Sequence, residues 1–115
     1  MESSVNIIIN AQSDSGETGK ATIKDEDGKA EVYIELSNYP SNPQPAHIHF
    51  GSCDNLGAVK YPLSNIVNGK SKTTINVSTE QILLQLPLAV NAHKSADEIK
   101  IYVACGDIKK SEDMM

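Results

Sequence analysis

Asp25-Glu26-Asp27-Gly28 followed by Lys29-Ala30-Glu31-Val32-Tyr33-Ile34-Glu35-Leu36 is the stretch that decides the fold class. Side chains alternate across a strand, so Ala30, Val32, Ile34 and Leu36 share one apolar face while Glu31, Tyr33 and Glu35 share a wetter one. The Asp-Gly turn joins this strand to Thr18–Lys24, which alternates in the same way, and the two read as a hairpin. Working outward, Val5–Ala11 is a β-branched run. Tyr39–Pro45 holds three prolines, which lack ladder donors, and reads as an extended connection before the sheet resumes at Ala46–Gly51. Cys53–Gly57 reads as a loop, Val59–Leu63 as a short strand, and Asn68-Gly69 as a turn into Ser71–Val77. Ser78 caps one helical turn, Thr79–Leu84, which Pro87 ends. Leu88–His93, a turn at Lys94–Asp97 and a last strand at Ile99–Cys105 complete the pattern, with a charged tail from Lys109. Short strands separated by turn signals every eight to twelve residues or so predict an all-β, antiparallel Greek-key sandwich or barrel, one domain over residues 1–115.

The chain has 115 residues, 39% hydrophobic and 22% charged, within the range of single globular domains. No apolar run nears the ~20 residues of a membrane-spanning helix. The net charge is −5 and all ten basic residues are lysines, so no arginine fork meets a phosphate or a guanine. Nucleic acid is excluded as the expected partner. Trp is absent and aromatics make up 4%, leaving Val, Ile and Leu to fill the core.

Two cysteines, Cys53 and Cys105, are open to two readings: one disulfide in an oxidising compartment, or two unrelated buried thiols. Met1-Glu2-Ser3-Ser4 is too polar for a signal peptide, so export would require a leader trimmed from the precursor.

The histidines number three: His47, His49 and His93. Alternation places His47 and His49 on one face of a strand, Cα atoms about 6.5–7 Å apart, a spacing from which both rings reach one ion. Two histidines on a polar sheet face would produce the same pattern. His93 ends a separate strand, and three imidazoles with none left over favour a single metal site.

Pro45-Ala46-His47-Ile48-His49-Phe50-Gly51, Asn91-Ala92-His93-Lys94-Ser95-Ala96-Asp97-Glu98-Ile99 and Tyr102-Val103-Ala104-Cys105-Gly106-Asp107-Ile108 resemble, in that order, three signatures of the copper/zinc superoxide dismutase family. The resemblance implies that His47, His49 and His93 ligate one copper ion, that Cys53 and Cys105 form a disulfide, that the protein is extracytoplasmic, and that the fold is that family's Greek-key β-sandwich. It also places Asp97 at the family's aspartate that orients metal ligands, and Tyr102 where the family has an arginine beside copper. The chain departs from the family in lacking a bridging histidine and the zinc ligands, because no histidine lies between Cys53 and Ser71. A weaker resemblance, through Ala46-His47-Ile48-His49 and Asn91-Ala92-His93, links the chain to chordin-type domains, regarded as binding or structural modules.

Three neutral imidazoles suit copper, zinc or nickel, and the Irving–Williams order ranks copper first. The expectation is therefore a copper-binding protein without a zinc site, with superoxide as a candidate reactant; a copper-only dismutase and an unmetallated chordin-like module are the alternatives. No Gly-x-Ser-x-Gly elbow occurs for a hydrolase. Asp25-Glu26-Asp27-Gly28 lacks the twelve-residue calcium loop. Met114-Met115 reads as a chain end rather than a copper-acquisition motif.

Overall fold

The computed structural model describes residues 4–110; Met114 and Met115, like the first three residues, lie outside them. Eight strands, β1 (Ser4–Ala11), β2 (Gly19–Glu26), β3 (Lys29–Leu36), β4 (Gln44–Ser52), β5 (Asn55–Ile66), β6 (Lys70–Ile75), β7 (Leu88–His93) and β8 (Tyr102–Ile108), form one antiparallel sheet, with a short helix α1 (Thr79–Leu83) between β6 and β7. The order β5-β4-β7-β8-β1-β2-β3-β6 brings first and last strands together. There the wall is joined by side chains: the Ser64 N–H donates to Thr73 Oγ1 over 2.8 Å, and Ser71 Oγ donates to the Ser64 carbonyl over 2.7 Å. The result is a nearly closed barrel in which the β3–β4 and β6–β7 connections cross between non-adjacent strands, the Greek-key arrangement.

Turn chemistry fixes the register. Asp27 and Gly28 both have positive φ (54° and 80°), as the two-residue hairpin pairing Glu26 with Lys29 requires. Asn68 and Gly69 repeat this between β5 and β6. At Gly69 a Cβ would fall 2.6 Å from the Leu36 carbonyl oxygen, so the residue is needed for space as well as for φ. Ser78 caps α1 through a reciprocal capping box with Gln81.

The alternation predicted for β3 holds: Ala30, Val32, Ile34 and Leu36 all face the core. They meet Ile7, Ile23, Ile48, Ile66 and Leu88, while Ile82 of α1 also joins the core. Burial of such aliphatic side chains stabilises the fold by roughly 1.5–3 kcal/mol each before entropy is counted.

Several boundaries differ from the sequence reading. Pro45 lies within β4, tolerated because the β4–β5 register shifts between Gln44 and Ala46. β5 begins at Asn55, inside the expected loop, because Asn55 pairs with Ser52 in a tight reversal. The last strand starts three residues late, at Tyr102, because hydrogen bonds from Glu98 N–H to Ser95 O and from Ile101 N–H to Glu98 O extend the turn.

Candidate metal centre

β4, β7 and β8 are adjacent, and their inward positions (Ala46, Ile48, Val90, Ala92, Ala104) belong to the core. Their alternate positions therefore face away from it. Register places His47 opposite Asn91 and His49 opposite Ala89, with Asn91 in turn opposite Cys105. His93 ends β7, and its partner is Tyr102 across a register shift that skips Val103. Strand pairing thus places all three imidazoles on one outer face.

One ligand nitrogen from each of His47, His49 and His93 lies within 4.8 Å of the other two. Nitrogens bound at about 2 Å to one ion sit at most about 4 Å apart, so small ring rotations close this trio on a metal. His93 and His49 are buried (3% and 5% exposed), while His47 is half-buried.

Hydrogen bonds set the protonation of each ring. His49 Nδ1 donates to the Gly57 carbonyl at 3.0 Å, and His93 Nδ1 donates to the Ile99 carbonyl at 2.5 Å, since a carbonyl only accepts. Both rings therefore present Nε2 as a lone pair. His93 Nε2 is met by His47 Nδ1 at 2.8 Å, which must be the donor of that pair. His49 Nε2 is buried and has no hydrogen-bond partner. An unsatisfied buried acceptor costs roughly 1–3 kcal/mol, and an ion at this position would satisfy it.

Burial pushes the His47 imidazole below its ordinary pKa, with the neighbouring His93 and His49 adding repulsion. His93 is lowered mainly by burial and further by His49, against an opposing pull from the Ile99 carbonyl. Both effects favour the neutral rings that metal binding requires.

Cys53 and Cys105 are bonded, with Cα atoms 5.8 Å apart, which settles the choice between disulfide and separate thiols. The bond ties the β4–β5 reversal to β8, assisted by Cys53 N–H donating to Asp107 Oδ1 at 2.8 Å. The same reversal carries Gly57, whose carbonyl fixes the His49 ring.

Tyr102 stands beside the site, its ring centroid 5.1 Å from that of His93 and 6.2 Å from that of His49. Asp97 does not hold a histidine, contrary to expectation. It is exposed on the extended turn, which instead turns the backbone carbonyl of Ile99 toward the His93 ring.

Sequence reasoning missed both carbonyl partners, which leave no trace in residue type. It also missed a buried chain in which Gln44 Nε2 donates to Glu17 Oε1 at 2.8 Å and reaches the His93 carbonyl at 3.5 Å. Burial raises the Glu17 carboxyl above its ordinary value, partly offset by the Gln44 bond.

No family model matches the chain, and no curated protein matches it.

Proposed function

We propose that the protein binds one copper ion through His47 Nδ1, His49 Nε2 and His93 Nε2 on a superoxide dismutase-like scaffold that lacks a zinc site. The observation that carries this reading is the buried, unpartnered Nε2 of His49 aimed among two further neutral imidazoles. The donor set is all nitrogen, with neither carboxylate nor thiolate in the cluster, which suits a late transition metal better than calcium or magnesium. Copper stands highest among divalent ions for such a site. When bound, it would supply one-electron chemistry. This chain's residues would supply position: Gly57 O and Ile99 O orient two rings, and the cross-link holds the segment carrying Gly57. The disulfide fits an extracytoplasmic location.

A copper-only superoxide dismutase is the second reading, favoured by the partial exposure of His47, which leaves the trio in reach of solvent. An unmetallated chordin-like module is the third. Titration with copper followed by elemental analysis tests the first reading: one ion per wild-type chain is expected, with loss of tight binding in His49→Ala. Absence of bound copper in the wild type would exclude both copper readings.

A further inference from the structure

Three histidines leave a divalent copper ion short of the four ligands it favours in tetragonal surroundings, and the phenol ring of Tyr102 stands beside two of the three imidazoles. We infer that the phenol oxygen of Tyr102 is the fourth ligand, so that the site is three nitrogens and one phenolate; this rests on the copper reading above.

The Tyr102 ring lies far from where its backbone position alone would put it. Its backbone is level with His93, at the end of the β7–β8 ladder. His49 lies on β4, two strands from β8, and is level with Ala89, four residues back along β7 from His93. A side chain standing straight off the sheet at Tyr102 would be remote from His49. The two rings are nevertheless 6.2 Å apart, so the tyrosine leans diagonally across the outer face toward His49. It meets the His93 ring in a T-shaped arrangement, the two planes 82° apart.

The hydroxyl has no competing role. Tyr33 donates its hydroxyl to Glu31 at 2.5 Å and the Tyr61 oxygen accepts from Gln85 at 2.9 Å, whereas the Tyr102 hydroxyl takes part in no hydrogen bond among the described residues. Tyr102 is also only half-buried, so the phenolic proton can leave to solvent as the copper–oxygen bond forms. No electron is transferred in this step; a phenol becomes a phenolate and one proton enters the water. The other aromatic rings lie outside this pairing with His49 and His93, and the acids of the preceding turn, Asp97 and Glu98, are exposed.

Phenolate bound to copper(II) has a signature that imidazole lacks, an intense ligand-to-metal charge-transfer absorption in the visible whose excitation enhances phenolate ring vibrations in the Raman spectrum. The experiment loads the full-length protein and its Tyr102→Phe variant with copper(II). It measures metal per chain by elemental analysis and records absorption and resonance Raman spectra of both. Phenylalanine preserves the ring and removes only the oxygen, so the fold is retained. The expected result is one copper per chain in the wild type, with a charge-transfer band that is lost in Tyr102→Phe. One copper per chain with only weak ligand-field absorption, identical in the two proteins, would overturn the tyrosine assignment and leave the three-histidine site standing. No copper in the wild type would overturn the site itself and this inference with it.

Discussion

His47 Nδ1 and His93 Nε2 face each other across 2.8 Å with a single proton between them. A metal bound by both nitrogens must displace that proton, and because burial disfavours a charged imidazole here, the proton has to move to the far nitrogen of the same ring. His47 should therefore carry its hydrogen on Nδ1 without metal and on Nε2 with it. Nitrogen-detected NMR of the apo protein and of the diamagnetic copper(I) form reads this directly. A His47 that keeps its Nδ1 proton in the loaded form rules that nitrogen out as a ligand.

All three imidazoles should be needed for tight binding. His49→Ala removes a buried nitrogen whose only candidate partner is the ion, and the two imidazoles that remain belong to a pair already satisfied by its own hydrogen bond. We expect loss of tight binding in each of His47→Ala, His49→Ala and His93→Ala, measured by copper content after dialysis. Full occupancy in all three variants would remove the site assignment.

The cross-link between Cys53 and Cys105 closes 52 residues of chain, for which the entropy model gives about 4 kcal/mol of stabilisation. Replacing both cysteines by serine should lower stability by about that amount in urea titration. It should also weaken copper binding by roughly 10–100-fold, since Gly57 loses its anchor and His49 its orienting carbonyl. An unchanged copper affinity in a variant that remains folded would show that the β4–β5 reversal holds itself.

Glu17 supplies a pH dependence unconnected with the metal. Its carboxyl is raised by burial, so the folded state holds the proton more tightly than the unfolded chain. That contribution is fully present below the ordinary value of 4.5 and is lost as pH rises through the higher folded value. Glu17→Gln stays neutral throughout. The difference in Tm between variant and wild type should therefore shift in favour of the variant between pH 4 and pH 7, judged by calorimetry at matched ionic strength. A difference constant across that range would contradict the burial argument.

As a dismutase the protein should be slow. The bridging histidine that would return a proton has no counterpart, and general acid assistance is typically worth ~10²–10⁴-fold. A net charge of −5 offers superoxide no overall attraction, so its encounter rate should lack the usual steering gain. Pulse radiolysis of the copper-loaded protein distinguishes the first two functional readings; equal, near-diffusion-limited half-reactions would make it a true dismutase.

The strands were legible because their signals are local. Alternation from Ala30 to Leu36 and the Asp27-Gly28 and Asn68-Gly69 turns depend on neighbouring residues, and the structure bears them out. The convergence of His47, His49 and His93 was legible too, since His-x-His fixes a face and a lone third histidine has few other sites to serve. What stayed hidden was set by backbone atoms and by chain distant in sequence. Nothing in Gly57 or Ile99 as residue types announces a carbonyl aimed at an imidazole, and Asp97 was credited with a task that the Ile99 carbonyl performs. The late start of β8 has the same origin, because Ser95 and Glu98 extend a turn through main-chain bonds.

The three histidines occupy the outer positions of strands whose inner positions make the core. Chemistry and architecture are consequently separable in this molecule. A histidine can be exchanged for cysteine, aspartate or glutamine without removing a side chain from the apolar cluster that holds Ile48, Val90 and Ala104. The barrel can thus serve as a fixed frame on which donor sets are varied one atom at a time, with Zn²⁺, Ni²⁺ and Cu²⁺ selectivity compared on an unchanged background.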